Sequence, residues 1–187
     1  MKNLRSDIER YQRFMGNAEP VSRLKLIRSC FSPRMLPVVF IRLAEFFAER
    51  RLGVVAKLFT MANVALFGLE ASPQVQIGGG LFLPHTVGTV LGAERIGCNV
   101  TILQGVTLGT ASPDNGFTAA LRPVIGDHVL IGAGAKIIGR VSVGNYAKVG
   151  ANAVVLQDVP PYALAVGVPA RIIHQHRSDN AQEAQID

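Results

Sequence analysis

The chain has no tryptophan, three tyrosines and an aromatic content of 6% over 187 residues. An interior built around ring systems is excluded. Any core has to be filled with aliphatic side chains, and with 49% hydrophobic residues there are enough of them. The same abundance excludes a chain too polar to bury a core. Cysteine is nearly missing. Cys30 and Cys98 make a poor basis for a disulfide framework and fit a reducing cytosol. Long apolar runs are missing too. The most membrane-like run, Leu52 to Leu69, is interrupted by Lys57. Its uncharged part is short of the roughly 20 residues a spanning helix needs, so a buried core helix is expected there. The N-terminus is charged from Lys2 and Arg5 onward and carries no visible secretory signal. A cytoplasmic location is the expectation.

Charge is sparse at 17%, and the net +6 is unevenly placed. Residues 1–60 hold 12 Lys and Arg against 5 Asp and Glu, which leaves the remainder near neutral. A solvated helical face accounts for that excess. Peripheral contact with the inner face of an anionic membrane is the alternative. No nucleic-acid motif and no basic-aromatic interleaving accompany it, so a nucleic-acid partner is not expected. A phosphate-cradling GxxxxGK[ST] loop is also missing.

A six-residue beat runs through the second half of the chain. Ile125, Ile131, Ile137, Val143, Val149 and Val155 recur without a break, and Gly126, Gly132, Gly144 and Gly150 directly follow four of them. Four residues after each member stands a smaller aliphatic: Val129, Ala135, Val141, Ala147, Ala153 and Val159. The beat also covers Ala71, Ile77 and Leu83. After one inserted residue it continues with Val90, Ile96, Ile102 and Leu108. A six-residue period is too short for a helical repeat. It fits a short strand plus a corner, with the aliphatic pointing inward and glycine relaxing the backbone. Three such strands close a triangular coil, so about twelve repeats make roughly four coils of a β-solenoid.

The beat sets the organisation. Residues 1–68 are expected to be α-helical. Helices are predicted from Ser6-Asp7 as a cap through Phe14, over Arg23–Phe31, over Pro37–Arg51 with Gly53 ending it, and from Val54 to Ala65. Residues 69–161 are expected to form the solenoid, with an extruded loop at 109–124 marked by Ser112-Pro113-Asp114-Asn115-Gly116. Residues 162–187 form a C-terminal cap and a flexible polar tail.

Four stretches carry a resemblance: IGGGLFLPHTVGTVLG (77–92), NVTILQGVTLGT (99–110), VLIGAGAKIIGRVSVGNYAKVGANAVVLQDVPP (129–161) and AVGVPARII (165–173). In these, and in Ser6-Asp7-Ile8, the chain resembles the hexapeptide-repeat acyltransferases, and most closely the serine acetyltransferase branch. The resemblance implies a mainly β fold, a left-handed parallel β-helix with an N-terminal α-helical region. It implies direct transfer of acetyl from acetyl-CoA to a hydroxyl, without a metal. His85 matches the family's general base and Glu70 its carboxylate partner. A hydroxyl is a weak nucleophile until a base takes its proton, and a carboxylate fixes the tautomer and steadies the imidazolium. Gly109, Ala133, Ala135 and Ala151 match the small residues that line the acetyl-CoA arm, and Lys136, Lys148 and Arg171 are candidates for its phosphates. Gly109 is also a candidate oxyanion donor. The family's site lies between subunits, which implies a homotrimer or a dimer of trimers.

The sequence departs from serine acetyltransferases at the acceptor. Pro84 replaces an aspartate before His85, and Leu121-Arg122 stands where the family has Arg-His. Arg122 can still hold a carboxylate, but no counterpart for the ammonium is visible. Leu-Pro-His at 83–85 is similar to capsule and exopolysaccharide O-acetyltransferases. The leading expectation is therefore a saccharide hydroxyl, with Pro84 and Arg122 lining its pocket. Serine O-acetylation and an inactive solenoid scaffold are the alternatives.

Overall fold

The computed structural model describes residues 3–17, 22–112 and 117–174. The expected flexible tail lies outside the described residues. Four helices come first: α1 (Leu4–Phe14), α2 (Arg23–Cys30), α3 (Leu36–Glu49) and α4 (Gly53–Phe67). α3 buries Val38, Ile41, Arg42 and Ala44 at spacings of three and four, the one-sided stripe of an amphipathic helix. Proline at its first turn costs no hydrogen bond. The Ser22 hydroxyl caps α2 by accepting from the Lys25 N–H at 3.4 Å.

Three helical expectations need correction. Gly53 does not end α3. That helix stops at Glu49, Arg51 takes the left-handed conformation at φ 61°, and Gly53 opens α4. α4 is not a buried core helix either. It packs on α3 through one face that buries Ala56 and Asn63, and leaves Val54 78% and Leu66 66% exposed. Ser6-Asp7 does not cap α1, because Asp7 sits inside the helix and is wholly buried. Arg42 donates to Asp7 from Nε (2.8 Å) and Nη2 (3.1 Å), and also donates to the carbonyls of Ile77 (2.9 Å) and Gly78 (2.5 Å). The Leu81 N–H donates to the same carboxylate at 2.8 Å. This buried ion pair ties α1 and α3 to the first strands. No helix among the described residues is long and apolar enough to cross a membrane.

From residue 69 the chain visits three sheets in rotation. Sheet 1 stacks β1 (Leu69–Ala71), β3 (Thr89–Leu91), β6 (Thr107–Gly109), β9 (Lys136–Ile138) and β12 (Val154–Val155). Sheet 2 stacks β2 (Gln76–Ile77), β4 (Arg95–Ile96), β7 (Val124–Ile125) and β10 (Ser142–Val143). Sheet 3 stacks β5 (Thr101–Ile102), β8 (Leu130–Ile131), β11 (Lys148–Val149), β13 (Ala163–Val166) and β14 (Arg171–His174). The pairing is parallel except for β13 with β14. The regular beat maps onto the core: Ile125, Ile131, Ile137, Val149 and Val155 are fully buried, and so are the smaller Ala135, Ala147 and Ala153. Such a narrow interior has no room for rings, which explains the low aromatic content.

One phase of the beat was misassigned. Leu91, not Val90, aligns with Ala71 and Leu108 and points inward. Val90 sits outward between Glu70 and Thr107. The extra residues therefore lie in the turn that holds His85 and Val87, both exposed. The segment after Leu108 carries the larger insertion, including a short 3₁₀ turn at Ala119–Leu121.

Left-handed backbone recurs level after level at two corners, with Gly139 a single further case at the third. Between sheets 3 and 1 the positive-φ residues are Gly88, Gly105, Gly134 and Asn152. Glycine and asparagine adopt that region at little cost. Between sheets 2 and 3 the corresponding residues are Gly80, Asn99, His128, Tyr146 and Tyr162, with φ of 57°, 61° and 62° at the last three. Bulky side chains take that region rarely.

Candidate active site

His85 sits at the corner between sheets 3 and 1, on the turn that follows Leu83. The Thr86 hydroxyl donates to the Phe67 carbonyl at 2.9 Å and the Gly88 N–H to the Gly68 carbonyl at 2.9 Å. These bonds hold the turn against the end of α4. Glu70 follows within three residues, on β1, with its side chain outward on sheet 1. Both side chains are exposed, and no hydrogen bond joins them among the described residues. Pro84 is half-buried beside His85.

Below His85 the same corner carries small residues. Ala133 and Ala151 stand at its surface beside Gly134 and Asn152. A Cβ on Gly134 would strike the Asn152 side chain of the next level, so the column packs closely and leaves a shallow wall. Lys136 on sheet 1 and Lys148 on sheet 3 flank it, and the exposed Arg171 starts β14 on sheet 3. The Lys136 ammonium donates to the Gly105 carbonyl, which ties it to this corner. Ala135 belongs elsewhere. It is fully buried, its N–H donates to Gly132, and its carbonyl accepts from Thr107. It presents no group to a ligand, because the fourth position of each repeat points into the core.

Gly109 and Arg122 are not beside His85. Gly109 ends β6 and Arg122 precedes β7, so both lie at the corner between sheets 1 and 2. Arg122 donates from Nη1 to the Gly92 carbonyl at 3.0 Å and lies over the Phe117 ring at 4.2 Å. A Cβ on Gly92 would sit 3.0 Å from that guanidinium. Phe117 was not singled out from the sequence, although it is the one aromatic in the 109–124 segment. Between the two corners the outer face of sheet 1 forms an open groove of about 500 Å³, lined by Glu70, Ser72, Gln74, Thr107, Phe117 and Arg122. A carboxylate and a guanidinium thus share one groove, a charge pattern complementary to a zwitterion.

The rotation through three parallel sheets and the beat that fills them define a hexapeptide-repeat transferase, and residues 122–157 match the model of the bacterial transferase hexapeptide (six repeats). The serine acetyltransferase of Helicobacter pylori is 38% identical over 160 residues, covering 85% of this chain and 92% of its own. That of Staphylococcus xylosus is 43% identical over 128 residues, 68% of this chain and 58% of its own, so this chain spans about three fifths of that relative. Among solved structures, the soybean serine acetyltransferase apoenzyme superposes with a TM-score of 0.77 at 36% identity, covering 92% of this chain and 70% of that one. The chain belongs to the serine acetyltransferase family of hexapeptide-repeat acyltransferases.

These relatives overturn the saccharide expectation. They are serine acetyltransferases in sequence and in structure. The three residues Leu83-Pro84-His85 were too short a match to outweigh a likeness over 160 residues. The lack of an ammonium partner, both beside His85 and in the helical region, had argued against serine. Glu70 reaches the groove from a different strand.

Proposed function

We propose that the chain is a serine O-acetyltransferase that uses acetyl-CoA, built on a left-handed parallel β-helix and working as a homotrimer. The observation that carries the acceptor is the pair of opposite charges on sheet 1, Glu70 on the His85 side and Arg122 at the far edge, which neighbouring chains set against each other. Arg122, steadied by Phe117 and the Gly92 carbonyl, holds the acceptor carboxylate. Glu70 supplies negative charge on the side of His85. It serves the acceptor ammonium and the imidazolium that forms during the reaction.

His85 takes the proton from the acceptor hydroxyl as its oxygen attacks the thioester carbonyl. The C–S bond breaks and the sulfur leaves as coenzyme A, receiving the proton from the His85 imidazolium. The products are the O-acetyl ester and free coenzyme A. The wall of Ala133 and Ala151 lets the pantetheine arm approach the backbone, with Lys148 and Arg171 near its phosphates. In one chain His85 and Arg122 lie at opposite edges of sheet 1. A trimer that sets one edge against the other in a neighbouring chain completes the site, and there the N–H of a neighbour's Gly109 meets the oxyanion.

A thiol-release assay tests this. The full chain with acetyl-CoA and L-serine is expected to release coenzyme A, and His85→Ala to lower kcat by about 10²–10⁴ while the protein stays folded. No serine-dependent release from the wild type, or an undiminished rate in His85→Ala, overturns the reading.

A further inference from the structure

Residues 20–44 contain five cations, Arg23, Lys25, Arg28, Arg34 and Arg42, and no Asp or Glu. Arg42 is buried against Asp7, and the other four belong to α2 or to the turn that follows it. α2 is fixed to the molecule by one side. Leu26 and Cys30 pack against the core, and the Gln12 amide donates to the Ser29 hydroxyl at 2.7 Å. Just beyond the helix, the Tyr11 and Ser32 hydroxyls share a hydrogen bond of 2.9 Å. The opposite side is apolar. Leu24 is 78%, Ile27 60% and Phe31 76% exposed, and spacings of three and four put them in one ridge. The exposed Arg28 extends that side and the half-buried Lys25 flanks it. Among the described residues no ion pair involves Lys25, Arg28 or Arg34.

A helix that buries one side and still presents an apolar ridge has a second surface to cover. The flanking cations decide what covers it, because they favour a surface that is apolar and anionic together. α4 makes the contrast. It exposes Val54, Leu58 and Met61, but Lys57 is its single cation. A second copy of the chain fits the α2 ridge poorly. A two-fold contact sets a patch against itself, so Lys25 and Arg28 would meet their own copies, and like charges oppose that contact. The support of α2 also lies away from the proposed subunit contact at the edges of sheet 1. α2 packs on α1, and α1 is fastened to sheet 2 and to its corner with sheet 3. There Asn3 Nδ2 donates to the Ile77 carbonyl at 2.9 Å and Arg10 Nη1 to the Gly80 carbonyl at 2.6 Å.

We propose that α2 is an interfacial helix that docks the protein reversibly on a bilayer of anionic lipid. Leu24, Ile27 and Phe31 enter the boundary between headgroups and acyl chains, and Lys25, Arg28 and Arg34 meet the lipid phosphates. Both contributions are needed. Three apolar side chains are comparable to a single acyl chain, which by itself binds a membrane only marginally. Surface cations alone are screened by salt over a Debye length of about 8–10 Å. No described helix is long and apolar enough to cross a membrane, so α2 lies in the plane of the surface.

Co-sedimentation of the full chain with vesicles at low ionic strength tests this. Vesicles of equal parts phosphatidylglycerol and phosphatidylcholine are expected to bind about tenfold or more tightly than pure phosphatidylcholine. The double variants Leu24→Ser with Ile27→Ser, and Lys25→Gln with Arg28→Gln, are each expected to weaken that binding about tenfold or more. Leu58→Ser with Met61→Ser on α4 is expected to leave it unchanged. The chain has no tryptophan, so Ile27→Trp adds a single reporter. Its emission is expected to shift to the blue on the anionic vesicles and to stay unchanged on the neutral ones. Equal binding to both kinds of vesicle, or binding to neither, overturns the proposal. So does loss in the charge variant with none in the Leu24 and Ile27 variant, which leaves adhesion of charge alone, and so does loss in the α4 variant. A fall in oligomer size in the α2 variants, read by light scattering, assigns the ridge to a contact between copies and overturns it too. No readout depends on turnover, so failure of the enzymatic reading leaves these outcomes unaffected.

Discussion

Arg42 ties α3 to α1 and to the first strands through its guanidinium. It is 2% exposed and Asp7 is fully buried, so removing either partner strands a charge in the interior. Burial works against the Arg42 charge, but the hydrogen bond and charge of Asp7, with Glu45 behind them, outweigh it and raise the guanidinium pKa. Arg42→Ala is expected to cost about 3–5 kcal/mol in chemical denaturation. Glu45 behaves differently although it contacts Arg42 at 3.0 Å. Burial pushes its carboxyl above the usual 4.5, Arg42 pulls it down by less, and Asp7 pushes it up further. The folded state therefore holds the Glu45 proton more tightly than the unfolded chain does. Its contribution to stability is present below pH 4.5 and is lost as pH rises through the raised value. The melting temperature of Glu45→Gln relative to wild type is expected to rise between pH 4.5 and pH 7. A flat or falling difference in a pH series of thermal melts contradicts the assignment.

At the level of elements, the distance between successive strands limits what each corner accepts. An ideal Cβ on Gly97 would lie 2.5 Å from the Gly126 carbonyl oxygen and 2.6 Å from its carbon. That backbone belongs to the parallel ladder joining β4 to β7 and cannot move without opening the ladder. Gly97→Ala is expected to destabilise by about 1–3 kcal/mol. Gly53, in the first turn of α4, has nothing within 4 Å of its ideal Cβ. Gly53→Ala is expected to stabilise by about 0.4–1 kcal/mol through the unfolded state. Thermal melts of the two variants separate close packing from a general intolerance of added methyl groups. The strand pattern was legible in sequence because aliphatics at period six have one way to face a narrow core. The phase at Val90 was not, because Pro84 and Gly88 mark a turn around His85 but not how many residues it adds to the count.

For the whole molecule, the separation of His85 and Arg122 across sheet 1 is the decisive fact. If a site joins His85 of one chain to Arg122 of the next, two inactive variants can repair each other. His85→Ala and Arg122→Ala are each expected to be inactive alone. Co-expressed in equal amounts they are expected to recover about a quarter of the wild-type sites, since each shared site needs one intact partner of each kind. Recovery indistinguishable from zero in mixed oligomers places both residues in one subunit's site. Light scattering on the same samples reads the oligomeric state directly.

The sequence by itself determined the helices-then-strands order, the inward face of the regular strands though not of β3, and the candidate base His85, because periodicity and a matched motif are local. It also offered Arg122 as a candidate acceptor contact, without a partner. Tertiary structure decided what local pattern does not contain. It buried Asp7 against Arg42 from another helix, and it took Ala135 into the core. It brought Glu70 and Arg122 into one groove from strands on different levels. It stacked the rings of His128, Tyr146 and Tyr162 at a single corner, where each ring alone is an unremarkable surface side chain. The physical reason is common to all four. Burial, charge pairing and stacking depend on what the fold places opposite a residue, and in this chain that partner is most often a full circuit or more away along the backbone.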